Sequence, residues 1–371
     1  MRVLLVSANY APHVGGIERF VEILARGLSS RHAVTVLCCR FGAAPLDEEP
    51  AAFRVVRIPA SYVLERALDV PYPLPLPTRL FWCLRRELDR SDVVHVQDAI
   101  YATSGFALLL ARRAGVASVL TQHVAFVPQG SSWLDSIQRA AIAGLGHGSR
   151  LATRVAAYNP TVAAWAERRW GLREVQVLPV GVETARRQSD RNGLRHSFDL
   201  PIERFIALFV GRDVPKKGLD VFLASADPAY ELVAVTDRAG QHAGARLLPF
   251  MEPERLQDLF RCVDAFVLPS SEGEGFPLSL QEALAAGVPA IVARHPGYDR
   301  YLGEDDVLFV PRSAEDIRAA LLQLAKSEQL RQKLSERSHA VAELHFGVDR
   351  FVAAYEELYE EARAAANARR S

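Results

Sequence analysis

The stretch "RVLLVSANYAPHVGGIERFVEILARGLSSRHAVTVLCC", residues 2–39, contains two short apolar runs on either side of a helical pattern. In the middle part, GIERFVEILARGLSS, apolar residues recur at the spacing of a helix with one buried face. The flanking runs RVLLVSA and AVTVLCC are nearly continuous and apolar, which is typical of strands covered on both faces of a parallel sheet. The stretch therefore predicts a strand–helix–strand unit of an α/β domain.

The same alternation of apolar runs and helical segments continues along the chain. Further candidate strands are residues 53–58, 92–97, 117–123, 153–158, 175–180, 204–211, 230–236, 245–250, 265–270, 289–294 and 307–311. The polar segment 183–201 interrupts this pattern and reads as a linker with a small helix. Because 371 residues are too many for one core, we predict two consecutive doubly wound, Rossmann-like domains facing across a cleft.

The domain boundary is placed inside the polar linker. Residues 1–183 form the predicted N-terminal domain, and residues 184–347 form the C-terminal domain. After residue 347 the sequence FGVDRFVAAYEELYEEARAAANARR predicts one long helix. We expect this helix, 348–371, to return to the N-terminal domain and complete it. The segment PYPLPLP at 71–77 reads as a proline-rich loop.

The composition is that of an ordinary globular protein, with 49% hydrophobic and 24% charged residues. Lys plus Arg (44) balances Asp plus Glu (44), so no overall charge indicates a nucleic-acid partner. The balance hides an asymmetry: residues 1–183 carry 20 basic and 15 acidic side chains, whereas residues 184–371 carry 24 and 29. The basic first part leaves open peripheral contact with an anionic membrane; scattered solvated arginines are the alternative.

Cysteines and known metal motifs give no sign of a metal centre. No D-x-D or H-E-x-x-H motif occurs, and the cysteines lie in or beside apolar runs without metal-ligand spacing. These cysteines are Cys38, Cys39, Cys83 and Cys262. The longest apolar run is interrupted by Arg112 and Arg113, so no membrane span is predicted. We expect a cytoplasmic protein, including the inner face of the membrane as a location, with no metal and no cofactor.

The first loop of interest is APHVGGIER, which follows the first strand. Gly15 and Gly16 stand where a helix begins, so the backbone there can approach a ligand and offer amides to an anion. A glycine pair that only forms a turn is the alternative. The G-x-G-x-x-G fingerprint of dinucleotide-binding proteins does not follow this strand, which argues against a dehydrogenase.

A histidine follows one of the buried strands of the first domain. In LTQHVAF, His123 lies just past the strand, at the sheet edge where ligands of α/β domains bind. A hydrogen-bonded structural histidine is the alternative. His95, inside the strand-like DVVHVQD, is expected to be structural.

A pair of cations follows the first strand of the second domain, in VGRDVPKKGLD at 210–220. Arg212 and Lys217 are separated by a turn that contains Pro215, and Gly218 leads into a helix. Of 44 basic residues only four are lysines, yet two of the four are adjacent here. Two cations at a strand–helix turn suit a diphosphate, which needs charge neutralisation next to N–H donors.

A second helix start, in EGEGFPLSLQEALAAG, is also suited to an anion. Pro277 fits the start of this helix and Gly287 fits its C-terminal cap. The amides of Leu278 and Ser279 are expected to point toward a ligand. A carboxylate, Glu274, lies just before this anion-binding position.

A carboxylate beside a phosphate is repulsive unless it has another partner. Glu274 and Glu282 have seven residues between them and flank the helix start. Carboxylates accept strong hydrogen bonds from hydroxyl groups, so two neutral polyols on either side of a diphosphate would satisfy both. That ligand is a nucleotide sugar, with Glu282 on the ribose and Glu274 on the transferred sugar. Ordinary helix glutamates are the alternative.

Taken together, these motifs resemble those of a known enzyme family. EGFPLSLQEALAAGVPAIVA is similar to the Glu-x7-Glu signature of retaining GT-B glycosyltransferases of family 4. GRDVPKKG resembles that family's Arg/Lys diphosphate clamp, PHVGGIE its glycine loop, and TQHVAF the segment that carries its histidine. The motifs stand in the family's order and cover nearly the whole chain.

The resemblance implies a role for each matching residue. The implied catalytic residues are Glu274, His123, Arg212 and Lys217. The implied donor-binding residues are Gly16, Gly211, Arg212, Lys217, Glu274, Gly275, Phe276, Pro277, Leu278, Ser279 and Glu282. Pro277 stands where the family commonly has glycine and removes one amide, so Phe276, Leu278 and Ser279 must supply the phosphate contacts.

We therefore expect a metal-independent glycosyltransferase that moves a sugar, with retention, from a nucleotide-diphosphate sugar to an acceptor hydroxyl. The acceptor is a glycan, a lipid-linked compound or a small molecule, and its contacts are expected from first-domain loops such as residues 71–77. Two alternatives remain: a nucleotide-sugar epimerase of the same fold, and a nucleotide-sugar-binding protein without turnover.

Overall fold

The computed structural model describes residues 1–13, 15–49, 52–68, 72–125, 132–184, 190–237, 240–242, 244–271 and 276–369. The chain divides into two compact units, which we call unit one and unit two. Unit one consists of Met1–Gly181 and Val348–Ser371, and unit two of Val182–Gly347. The boundary predicted from sequence lies after residue 183. We assign the acceptor side to the N-terminal domain and the nucleotide-sugar donor to the C-terminal domain, and both assignments stay predictions.

Unit one alternates strands and helices, as the opening stretch predicts. Its strands are β1 (Arg2–Val6), β2 (Ala33–Cys39), β3 (Asp47–Glu48), β4 (Arg54–Ile58), β5 (Ala60–Ser61), β6 (Leu74–Pro75), β7 (Val93–Gln97), β8 (Ala117–Gln122), β9 (Arg154–Ala157) and β10 (Gln176–Val177). Its helices are α1 (Gly16–Ser29), α2 (Val63–Leu68), α3 (Pro77–Leu88), α4 (Ala102–Ala114), α5 (Ser132–Leu145) and α6 (Pro160–Trp170), with a 3₁₀ helix at Gly146–Leu151.

The main sheet of unit one has the order β10-β9-β8-β7-β1-β2-β4-β3 and is parallel except at β3. Its central strands are buried along their whole length, which explains their continuous apolar sequences. Helices α3, α4 and α6 pack their apolar sides on one face, around Leu84, Leu108 and Trp170. Helix α1 covers the other face with the buried side chain of Phe20.

Unit two contains the second alternation. Its strands are β11 (Phe205–Val210), β12 (Tyr230–Val235), β13 (Gly240–His242), β14 (Ala245–Leu248), β15 (Ala265–Leu268), β16 (Ala290–Ala293) and β17 (Leu308–Val310). Its helices are α7 (Arg191–Ser197), α8 (Leu219–Ala224), α9 (Pro253–Cys262), α10 (Leu278–Ala285), α11 (Ala314–Lys326) and α12 (Glu328–Phe346). The last helix of the chain, α13 (Val348–Ala368), belongs to unit one.

The sheet of unit two has the order β13-β14-β12-β11-β15-β16-β17 and is parallel except at β13. One apolar cluster, which includes Leu280 and Phe346, packs α10 and α12 against the sheet. A second cluster, which includes Phe222 and Leu321, packs α8 and α11 on the opposite face. Both units are therefore Rossmann-like layers of helix, parallel sheet and helix, and the predicted fold class is confirmed.

Helix α13 completes unit one, as predicted for the end of the chain. It packs on the same face of the sheet as α1, and Tyr355 and Tyr359 are fully buried. His95 of β7 contacts the hydroxyl group of Tyr359 at 2.8 Å and that of Thr121 at 2.7 Å. Tyr355 contacts Thr121 at 2.9 Å. His95 is thus a buried structural residue, in agreement with the expectation from sequence.

The remaining differences from the sequence-based picture are small. The predicted strands are observed, mostly trimmed at one or both ends. Residues 71–77 are not loop throughout, because Leu74–Pro75 pairs with Ala60–Ser61 as a two-stranded antiparallel sheet. Cys38, Cys39 and Cys262 are buried in their apolar elements, whereas Cys83 is half-buried. In the described part of the chain no helix is both long and apolar enough to span a membrane.

Candidate functional site

The predicted cation pair lies at the carboxyl edge of the unit two sheet, in the turn between β11 and α8. The amide of Val214 donates to the carbonyl of Arg212 at 2.9 Å, and the amide of Lys217 donates to that of Val214 at 2.9 Å. A Cβ on Gly211 would lie 3.3 Å from Cδ of Lys217, so the lysine chain passes close to this glycine. Successive tight turns therefore bring both cations to the edge where ligands of open α/β sheets bind.

Close contacts with the neighbouring strand fix this turn. Gly218 has φ of 77°, and a Cβ there would collide with the carbonyl oxygen of Pro269, so this position requires glycine. The amide of Ser271 donates to the carbonyl of Lys216 at 2.8 Å, and Nε of Arg312 donates to that of Pro269 at 2.8 Å. The cation turn is thus held against the end of β15, directly before the segment with the first predicted glutamate.

Helix α10 begins just beyond that segment and presents its N-terminus at the same edge. Pro277 is the N-cap in an extended conformation, and its carbonyl accepts the amides of Leu280 at 3.1 Å and Gln281 at 3.2 Å. The amides of Leu278 and Ser279 come before this first bonded turn, so the helix itself supplies them with no acceptor. They are the amides expected to bind phosphate oxygens.

The start of α10 is anchored by Phe276. Its ring is fully buried and contacts the rings of Tyr298 at 5.5 Å, Tyr301 at 5.2 Å and Phe346 at 4.8 Å between centroids. The side-chain amide of Gln281 donates to the Phe276 carbonyl at 3.0 Å. An apolar anchor directly before the helix therefore fixes where its first amides lie.

Of the two predicted glutamates, only one lies in the described part of the chain. Glu282 is half-buried on α10, four residues after Leu278, so it lies one turn below the first amides on the same side of the helix. Glu274 and Gly275 fall outside the described residues. The structure thus brings Arg212, Lys217 and the start of α10 to one edge of unit two.

Asp237, which follows β12 at this edge, was missed by the sequence analysis. Its Oδ1 accepts the amide of Asp213 at 2.7 Å and the hydroxyl of Thr236 at 2.9 Å. Burial alone would raise the pKa of Asp237, but these bonds and the charge of Arg212 lower it overall. An ionised carboxylate therefore fixes the backbone of the cation turn. Its position after a buried strand was the available signal.

In unit one, the predicted glycine loop forms the start of α1. A Cβ on Gly15 would collide with the carboxylate of Glu18, whereas a Cβ on Gly16 would have no described heavy atom within 4 Å. Gly16 therefore borders open space, and the packing of unit one does not explain why this residue is glycine. This arrangement is compatible with close approach of a ligand.

His123 lies directly after β8 and is 8% exposed. Its Nε2 contacts Oε1 of Gln97 at 2.8 Å, and its ring packs edge-on against Phe20 with centroids 4.6 Å apart. Burial lowers the pKa of His123 to about 3, so the imidazole is neutral at physiological pH. A neutral imidazole can exchange hydrogen bonds with a sugar hydroxyl but supplies no positive charge.

Asp98, at the end of β7, is a second residue that the sequence analysis missed. It is 1% exposed and has φ of 52°, a strained conformation for a residue other than glycine. Its Oδ1 accepts the amide of His123 at 2.7 Å, while Oδ2 is buried without a hydrogen-bond partner in the described residues. Burial raises the pKa of Asp98 to about 7. Burial, positive φ and a raised pKa are features that cluster at functional sites in proteins.

Two doubly wound units, the second with cations and a helix N-terminus at its carboxyl edge, define the class of GT-B glycosyltransferases. The family model described as Glycosyltransferase Family 4 matches residues 14–186, and the one described as Glycosyl transferases group 1 matches residues 190–341.

Two relatives and one solved structure extend this finding. The GDP-mannose-dependent alpha-mannosyltransferase of Mycobacterium tuberculosis is 30% identical over 308 residues, 78% of each chain. The D-inositol 3-phosphate glycosyltransferase of Xylanimonas cellulosilytica is 28% identical over 97% of each chain. Anabaena Alr3699/HepE, solved in complex with UDP, shares the fold with a TM-score of 0.72 and 16% identity, covering 97% of this chain and 100% of that one. The chain belongs to glycosyltransferase family 4.

Proposed function

We propose that this glycosyltransferase moves a sugar from a nucleotide-diphosphate sugar to an acceptor hydroxyl, with retention of anomeric configuration and without a metal ion. The observation that carries the proposal is the shared edge of unit two. There the Arg212–Lys217 turn contacts Pro269 and Ser271 just after β15, and α10 is the next described element along the chain. Cations and free helix amides at one edge match the charge and the oxygens of a diphosphate.

In this proposal each donor-site residue has one task. Arg212 and Lys217 neutralise the diphosphate, with Gly211 leaving room for the lysine chain. The amides of Leu278 and Ser279, positioned by Phe276 and Pro277, bind phosphate oxygens. Glu282 accepts hydrogen bonds from the ribose, and Glu274 with Gly275 orients the transferred sugar.

The proposed chemistry is a front-face displacement. The bond from the anomeric carbon to the diphosphate oxygen breaks as the acceptor oxygen bonds to that carbon on the same face. The acceptor proton passes to the departing phosphate oxygen. Negative charge grows on the nucleoside diphosphate, and Arg212, Lys217 and the α10 amides are placed to stabilise it. Because these groups provide the stabilisation, the proposal requires no divalent cation.

The donor base, the donor sugar and the acceptor are proposed as classes of compound. One relative is named for GDP-mannose and one neighbouring structure contains UDP, so both nucleoside diphosphates are the first to test. Neutral His123 and Gly16 are proposed to contact the donor sugar. The acceptor hydroxyl belongs to a glycan, a lipid-linked compound or a small molecule, and the reaction is proposed to take place in the cytoplasm or at the inner face of the membrane.

Proton NMR of the reaction tests this proposal. Donor sugars are incubated with the protein alone and then with a panel of alcohols and glycosides. We expect slow or no change with donor alone, and with an accepted hydroxyl a new anomeric signal of the donor's configuration together with free nucleoside diphosphate. Inversion at a sugar carbon without an acceptor would indicate an epimerase. Binding without any turnover would indicate a nucleotide-sugar-binding protein.

A further inference from the structure

An exposed tryptophan stands out on the surface of unit one. Trp82 of α3 is 66% exposed, more than any other large hydrophobic side chain in the described residues. Leu76, the N-cap residue of the same helix, is 53% exposed, and Leu74 in β6 is 42% exposed. Helix α4, against which both α3 and β6 pack, adds Phe106, which is 39% exposed. These apolar side chains lie on adjoining elements, and we call the surface they form with the exposed side of α3 the Trp82 face.

The apolar core of unit one does not account for Trp82. Helix α3 contacts that core through Leu80, Leu84 and Leu88. At about 100° per residue, Trp82 projects nearly opposite to the centre of this buried stripe. Folding of the unit therefore leaves a large aromatic ring mostly in water, with an edge-on contact to the neighbouring ring of Phe81 at 5.3 Å between centroids.

Arginines surround the exposed ring. Arg79 and Arg85 are exposed and flank Trp82 at about 60° to either side around the helix. Arg86 and Arg90 are also exposed, and Asp89 is the exposed acidic residue at this end of the helix. The other acidic residue of α3, Glu87, is buried and paired with Arg54 at 3.1 Å and with Arg86 at 2.8 Å, so it offsets the charge of Arg86. Arg79, Arg85 and Arg90 still outnumber Asp89, and the Trp82 face is therefore both apolar and basic.

We infer that the Trp82 face docks on an anionic lipid bilayer. A tryptophan and leucines flanked by arginines suit the boundary between acyl chains and headgroups, where the ring inserts and the guanidinium groups meet lipid phosphates. A second copy of this chain fits the face poorly, because a symmetric contact would bring like-charged arginines together. The inference goes beyond the transfer reaction and assigns a specific surface and lipid charge to membrane contact.

Vesicle co-sedimentation of the intact protein tests this inference. One set of vesicles is phosphatidylcholine, and the other contains equal parts of phosphatidylcholine and phosphatidylglycerol. We expect binding to the anionic vesicles only, and weaker binding at high salt. Each arginine near an anionic surface contributes about fivefold to affinity, so Arg79→Glu with Arg85→Glu is expected to weaken binding at least about 25-fold.

A matched control carries the same change of charge elsewhere on unit one. Arg168 and Arg169 are exposed near the end of α6, and Arg168→Glu with Arg169→Glu is expected to keep vesicle binding within about threefold of wild type.

Trp82→Ala, which keeps all charges, is expected to weaken binding at least about tenfold through lost insertion. Circular dichroism and binding of UDP or GDP confirm that each variant is folded.

Three results would overturn the inference. The first is wild-type protein that leaves anionic vesicles unbound, and the second is equal loss in both double-arginine variants. The third is a concentration-dependent dimer that Trp82→Ala abolishes, without vesicle binding, which would make the face a contact between copies of the chain. Because no donor or acceptor is present, none of these results bears on the transferase proposal.

Discussion

At the scale of single residues, Asp98 stands out directly after β7 in unit one. A non-glycine residue with positive φ costs about 1–2 kcal/mol, and burial of a carboxyl group adds to that cost. The amide of His123 satisfies one oxygen of Asp98 and leaves the other without a described partner. Such an arrangement is expected where a ligand hydroxyl completes the set of hydrogen bonds.

Asp98→Asn is predicted to change how stability depends on pH. In the folded protein the pKa of Asp98 is raised to about 7 from 3.8, so the folded state binds more protons between these values. The free energy of unfolding of wild type should therefore fall as pH rises from about 4 to about 7, by up to about 1.4 kcal/mol per pH unit. Asparagine keeps an oxygen for the His123 amide and does not titrate.

Thermal melting measures this effect. The Tm of Asp98→Asn minus the Tm of wild type is expected to be more positive at about pH 8 than at about pH 5. Asp89→Asn, at an exposed aspartate of the same unit, serves as the control and should show no such change. A Tm difference for Asp98→Asn that is the same at both pH values would contradict the prediction.

Some site residues could be found from sequence and others could not. Arg212 and Lys217 stand out because paired lysines are rare in this arginine-rich chain, and because they follow a clear strand. Asp98 and Asp237 also follow strands, but single carboxylates at such positions are common. Only the folded structure reveals the positive φ and burial of Asp98, or the amide bound by Asp237.

At the scale of secondary-structure elements, the turns after the strands determine which residues lie at the carboxyl edge of each sheet. The strands are predictable because burial on both faces requires continuous apolar runs. Their ends are less predictable, since the last residues leave the sheet to form turns. The short strands β5 and β6 carry no apolar pattern of their own. Leu74–Pro75 of β6 forms a strand only because it pairs with Ala60–Ser61 of β5, which lies earlier in the chain.

Two glycine substitutions separate a position where the fold requires glycine from one where it does not. Gly218→Ala places a Cβ against the carbonyl of Pro269 at a φ of 77°, so we expect it to lower the free energy of unfolding by about 2 kcal/mol. Gly16→Ala points into open space and is expected to change it by less than about 0.5 kcal/mol. Urea denaturation measures the free energy of unfolding of both variants. Equal destabilisation by Gly218→Ala and Gly16→Ala would contradict the prediction that only Gly218 is required by packing.

At the scale of the whole molecule, unit one is built from both ends of the chain. A long final helix was predictable from its pattern, and its return to the first domain was expected from the sequence. The contact between His95 and Tyr359 spans 264 positions and could not be read from either local sequence. Core packing, seen in the complete burial of Tyr355, determines where this helix docks.

Removal of this helix is predicted to unfold unit one. A chain that ends after Gly347 loses the buried side chains of Phe351, Tyr355 and Tyr359, so the cooperative melting transition of unit one should disappear. Tyr359→Phe is the mild control, because it removes one hydrogen bond and should cost about 1 kcal/mol. Scanning calorimetry distinguishes the two variants. A truncated chain with both transitions intact would contradict this account.

The proposed function depends on binding of the donor's diphosphate by Arg212 and Lys217 of unit two. Isothermal titration calorimetry with UDP and GDP measures this binding, with Lys326→Ala as a charge-matched control at an exposed lysine of α11. For the nucleoside diphosphate that wild type binds, we predict that Arg212→Ala and Lys217→Ala each weaken binding by about 1–3 kcal/mol, while Lys326→Ala leaves it unchanged. Affinity equal to wild type in both Arg212→Ala and Lys217→Ala would contradict the proposed binding.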